Sequence, residues 1–178
     1  MGLGQTLLTI MALMLMGRLI LSVNTTTLDV GFSKDMSEYR IAATSLGTSM
    51  IEQANALAFD EATVDTNLSP MGSTAALTPA ASLGPDAGET SIALFDDIDD
   101  FNNYTKSDTL QGVNYNTTVT VEYLLVTPPS TIAVTTTKTY NKRITVMVTS
   151  PYLIDYSVTP TRADTIKFQT VYSYWFFR

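Results

Sequence analysis

At 178 residues, with 45% hydrophobic and only 15% charged residues, the chain has room for one domain plus an appendage and is short of charge for a soluble one. A formal net charge of −7 leaves no basic patch to neutralise phosphates, which argues against nucleic acid as a partner. With neither Cys nor His there are no disulfides, thiolate nucleophiles or usual zinc ligands, and the commonest general base is missing. Catalysis would fall to carboxylates, Lys and Tyr, and the sequence brings no convergent cluster of these into view.

The first element is the apolar run of residues 1–23, "MGLGQTLLTIMALMLMGRLILSV". It lacks the basic start of a secretory signal, and Asn24-Thr25-Thr26-Thr27 follows Val23 where a small-residue cleavage site would stand. About 20 residues of helix cross a bilayer core, so the run is long enough to span. Arg18 then falls near the far interface, where its long stem can reach the headgroups. Gly2, Gly4, Gln5 and Gly17 make the span less apolar than an anchor needs to be.

The pattern does not stop at Val23. Leu28, Phe32, Met36, Tyr39, Ala43, Leu46, Met50, Ala54 and Leu57 recur at steps of three and four, the face of an amphipathic helix covering residues 28–60. Lys34, Asp35, Glu38, Arg40, Glu52 and Gln53 fall mostly off that face. One helix-like unit therefore runs to about residue 60, roughly 90 Å if continuous. Its first third is apolar all round and the rest on one side only, so it needs two environments. The joint holds Gly17, Ser22, Val23, Asn24 and Thr25–Thr27, the poorest helix formers of the first sixty residues.

The opening "MGLGQTLLTIMALMLM" resembles the mature N-terminus of a type IV pilin: an apolar first residue, Leu3, a polar fifth residue, then an unbroken apolar run. The resemblance implies a filament subunit of the pilin-like family, held in the inner membrane before assembly and passed to a pilus assembly machinery. In that family a leader is cut off before the first mature residue, whose amino group is then methylated; Met1 would be that residue, or else the initiator. Leu3, Gln5, Leu7, Leu8, Ile10, Met11, Leu13, Met14, Leu15, Arg18, Leu19 and Ile20, with Met1, would form the filament core against other copies of the chain. It also implies an unwound joint within residues 17–27 in the assembled form. The sequence departs from the family at Gln5, where most members carry glutamate, at Arg18, and in lacking the proline often found late in the apolar half. These departures leave a minor pilin or a secretion-system pseudopilin open, and outside the family a single-span protein with a binding domain.

Residues 61–112 read as a connecting segment. Its first part holds three prolines and three glycines without a sustained period. Within it lies "ALFDDIDDFNNY" (93–104). Asp96, Asp97, Asp99 and Asp100 suit either of two roles: side-chain caps on backbone N–H groups, or oxygen ligands of a calcium ion. Apart from that calcium, no cofactor is expected.

Residues 113–178 read as an antiparallel β-domain. The strands are "NTTVTVEYLLV" (116–126), "NKRITVMVTS" (141–150) and "DTIKFQTVYSYWFFR" (164–178), with apolar residues at every second position. "STIAVTTT" (130–137) extends the second of these or forms an edge, and Pro128-Pro129 and Pro151 punctuate. The expected fold class is α+β: a long N-terminal helix, apolar then amphipathic, packed on a small antiparallel sheet in the manner of pilins. The expected function is structural and non-enzymatic, a self-assembling extracellular filament at the cell surface.

Overall fold

A computed structural model describes residues 2–66, 68, 73–127, 131–155 and 162–176. Met1, the expected site of N-terminal processing, lies outside the described residues, as do Pro128 and Pro129. The chain divides into two compact units, Met1–Tyr39 and Arg40–Arg178. The fold class is α+β, with one long helix, α1 (Leu3–Asn55), and a five-stranded antiparallel sheet.

The first unit is the N-terminal part of α1. Helix continues through the weak joint, and the threonine hydroxyls there turn back onto it. Thr25, Thr26 and Thr27 donate to the carbonyls of Leu21, Ser22 and Val23 at 3.1, 2.8 and 2.9 Å. Such back-bonding satisfies the side chains without opening the backbone.

In the second unit the strands are β1 (Thr105–Leu110), β2 (Val113–Thr127), β3 (Thr131–Thr135), β4 (Asn141–Asp155) and β5 (Arg162–Ser173). Their order is β1-β2-β4-β5, with β3 paired to β2. Tyr123 on β2 pairs with Thr135 of β3 and with Lys142 of β4, so β3 lies on the edge of β2 opposite β4. Thr117 and Thr118 pair likewise with β1 on one side and β4 on the other. β1 and β3 thus share one edge of β2, one at each end. The gap between them is closed by the segment leading into β1: the Val119 amide donates to the Tyr104 carbonyl at 2.9 Å, and the Val121 amide to Asn102 Oδ1 at 3.0 Å.

β1 falls in the segment that the sequence assigned to connecting chain. Its residues, TKSDTL, are polar and nearly all exposed, so no apolar alternation marks them. What makes them a strand is the two-residue turn at Gln111 and Gly112, both with positive φ (53° and 79°), whose twist suits a tight hairpin onto β2. Pro151 also differs from expectation. It sits inside β4, within the register shift between Thr149 and Ile154, where a missing N–H costs no ladder bond.

The buried residues of α1 are Ala43, Gly47, Met50 and Ala54. Three belong to the apolar stripe read from the sequence, and Gly47 is added because the Phe168 ring of β5 occupies the space where its side chain would be. The sheet contributes Val113, Tyr115, Val119, Val121, Tyr123, Ile144, Val146 and Val148, buried at alternate positions. Tyr172 donates its hydroxyl to the Ile51 carbonyl at 3.1 Å, and Arg40 pairs with Asp164 at 2.7 Å. These bonds fix the last turns of α1 on β5. Phe95, Phe101 and Tyr104 meet edge to face and pin the connecting segment down.

Candidate assembly surface and acidic run

An 18-residue stretch of α1 near its N-terminus has a mean hydropathy of 2.0, and none of it is buried within this chain. By length and composition it is able to cross a membrane. Leu3, Leu7, Leu8, Ile10, Met11, Leu13, Met14, Leu15, Leu19 and Ile20 are all more than half exposed. Full burial of such a side chain is worth about 1.5–3 kcal/mol, so covering all of them releases roughly 10–20 kcal/mol. That rivals the whole stability of an ordinary domain, about 5–15 kcal/mol. Water is therefore the wrong environment for this face. Gln5 and Arg18 are exposed on the same helix, while Gly17 and Gly31 have open space where a side chain would stand.

The acidic run is folded on itself. Asp97 Oδ1 accepts the amides of Asp99 and Asp100 at 2.5 and 3.3 Å, capping the short 3-10 turn Asp99–Phe101. Asp100 Oδ2 reaches back to the amides of Asp96 and Asp97 at 3.0 and 3.1 Å. The pair forms a reciprocal box in which each carboxylate satisfies the other's backbone. Burial pushes the Asp97 carboxyl up to about 8, with Asp99 and Asp100 adding to the rise and Lys142 opposing it. Burial likewise raises Asp100 to about 7, against the pull of the Asp97 amide.

For calcium, the sequence offered Asp96, Asp97, Asp99 and Asp100 together, and the geometry is different. Asp97 turns to backbone amides and Asp99 turns to Lys142, because a buried carboxylate takes the nearest donor. Among the described residues, the oxygens that gather within 4.8 Å are those of Glu89, Asp96 and Asp100. Asp100 there already accepts two amides.

Asp99 belongs to a second constellation, built around Lys142. Lys142, the second residue of β4, is fully buried. Its ammonium donates to Asp60 Oδ2 at 2.6 Å, Asp99 Oδ1 at 2.5 Å and the Phe59 carbonyl at 2.8 Å. The rings of Phe59 and Tyr123 flank it, with centroids 4.5 and 5.1 Å away. Asp60, also fully buried, accepts amides from Ala62 (3.2 Å) and Thr78 (3.0 Å) and lies 3.1 Å from the Tyr123 hydroxyl. Desolvation, then the charges of Asp60 and Asp99, raise the Tyr123 phenol. A signal for this site was present in the sequence. Lys142 is in phase with Ile144, Val146 and Val148, so the alternation that buries them buries it as well.

Comparison with protein-family models, with curated proteins and with solved structures returns no match for this chain.

Proposed function

We propose that the chain is a structural, non-enzymatic subunit of an extracellular filament of the type IV pilus kind, assembled through the N-terminal part of α1. The observation that carries the proposal is the helix surface from Leu3 to Ile20, apolar on every side and unburied within its own chain. Such a surface has to be covered twice in this reading: by inner-membrane lipid before assembly, and by other copies of the chain afterwards. The pilin-like opening, with Leu3 and a polar residue at Gln5, supports the same reading, as does the α+β class. In that setting Met1 is the processed and methylated end, an assembly machinery is the transient partner, and the cell surface is the destination.

The test is electron microscopy of material sheared from cells, with this chain expected as the dominant band of the filament fraction. Leu13 is 69% exposed in the single chain, and Leu13→Asp places a charge where the filament core would be. Filaments should disappear while the β-domain keeps its circular dichroism. Filaments of normal yield from Leu13→Asp would refute the core assignment. Bands at trace level would make the chain a minor pilin or pseudopilin, and a chain that stays monomeric in detergent with no filaments would make it a single-span anchor.

A further inference from the structure

Lys142, Asp60 and Asp99 are an unusual set to bury together. The lysine and Asp60 are wholly inaccessible and Asp99 nearly so. Two aromatic rings and the Phe59 carbonyl complete the wall around the lysine. Asp99 Oδ1 meets Lys142 at 2.5 Å, and the carboxyl lies against that of Asp60, while Oδ2 is buried and receives no hydrogen bond from a donor among the described residues. An orphaned buried oxygen beside an amine calls for an explanation. A carboxyl about to lose that oxygen supplies one.

We propose that Lys142 and Asp99 condense within the folded chain to an amide, an isopeptide cross-link between β4 and the 3-10 turn Asp99–Phe101. Lys142 first passes one ammonium proton to Asp60 Oδ2, 2.6 Å away. The freed amine attacks Cγ of the protonated Asp99 carboxyl, forming the new C–N bond. The C–Oδ2 bond breaks, and that hydroxyl leaves with a second amine proton as water. One lysine N–H remains on the amide and Asp60 keeps the transferred proton, so atoms and charge balance with no oxidant or co-reactant.

Three features favour the step. The amine is held against the acyl group, which replaces a bimolecular encounter by a pre-oriented contact. The complete burial of Lys142 excludes the water that would reverse the condensation. Burial also holds the Asp99 carboxyl well above the usual range, so its neutral, reactive form persists near neutral pH. Asp99 is the acyl donor and Asp60 the proton acceptor because their surroundings differ. Both Asp60 oxygens are tied to donors from Ala62, Thr78 and Tyr123, all of which a substitution at its carbonyl carbon would disturb.

The link would close a loop across 43 positions of sequence in a chain that has no cysteine to do so. It does not depend on filament formation.

The test uses the full-length chain purified in detergent, as wild type and as Lys142→Arg, compared by intact mass spectrometry so that N-terminal processing cancels. Wild type should be lighter than expected by one water molecule, and Lys142→Arg should show its full mass. Proteolysis of wild type should release a branched peptide joining Asp99 to Lys142, a readout that does not need the variant to fold. Asp99→Asn should condense with loss of ammonia in place of water, giving a product of the same mass as cross-linked wild type. A folded wild type of full mass that yields only linear peptides would overturn the proposal, and a branch at Asp60 would overturn the choice of acyl donor.

Discussion

Gly47 lies directly under the Phe168 ring of β5, and replacing it separates packing from helix propensity. A methyl group at this position would overlap the Phe168 ring, which therefore has to move. Gly47→Ala gains up to about 1 kcal/mol from intrinsic helix preference. Overpacking of a fitted contact costs about 1–3 kcal/mol. Phe168 is only half-buried and is paired through its backbone to Val146, so its ring has some room while its Cα has little. The middle of the overpacking range, about 1.5–2 kcal/mol, applies, and less a helix gain of about 0.5–1 kcal/mol the net loss should be about 0.5–1.5 kcal/mol. At roughly 2–4 °C per kcal/mol for a domain of this size, the melting temperature should fall by about 1–6 °C. Thermal unfolding followed by near-ultraviolet circular dichroism of the full chain in detergent reads the change. Gly31→Ala is the control, since nothing lies within 4 Å of the added methyl. It should not lower the melting temperature. The double variant Gly47→Ala with Phe168→Leu should recover most of the loss. A Gly47→Ala protein as stable as wild type would show that the helix–sheet contact is loose and that the argument from close approach is wrong.

Other outcomes follow from the same geometry. Gln5 should hydrogen-bond the amine or a backbone group of an adjacent copy in the filament, so Gln5→Leu should reduce filament yield and Gln5→Glu should be tolerated; equal yields from all three would make the position simple packing. In a filament reconstruction, the helix should open somewhere within residues 17–27 and resume by about Leu28, because neighbouring chains can then satisfy backbone groups that the bilayer cannot; an unbroken helix there would mean that packing overrides the weak propensity. Asp97 and Asp100 have folded-state values raised to about 8 and 7, so the native state binds protons more tightly than the unfolded chain. Their contribution to stability is complete below the unfolded value near 4 and is lost as pH rises through 7–8, so the melting temperature should be higher at pH 5 than at pH 8. Asp97→Asn keeps an acceptor for the amides of Asp99 and Asp100 and should flatten that slope, whereas Asp97→Ala flattens it too but loses the cap, costing about 1 kcal/mol at pH 5 and less at pH 8, with or without calcium. A rise in melting temperature on adding calcium that vanishes in Asp97→Asn would instead make Asp97 a cation ligand.

The apolar run, the stripe carrying Ala43, Met50 and Ala54, and the alternation through Val119, Val121, Ile144, Val146 and Val148 were legible in the sequence, because each is a local period with one physical meaning. From these alone came the α+β class and the demand for two environments along one helix. β1 was not legible. Its strand character comes from a neighbour's edge and a turn at Gln111-Gly112, with no apolar face of its own to announce it. Gly47 has no side chain to add to the stripe, and only the Phe168 ring turns it into a contact. The acidic run could be read as a cap or a cation site from its composition; which oxygen meets which amide was decided by the turn at Asp99–Phe101. The meeting of Asp60, Asp99 and Lys142 joins Lys142 to residues 82 and 43 positions away. No local period encodes such a meeting, and it exists only once the helix exit, the connecting segment and β4 have closed on one another.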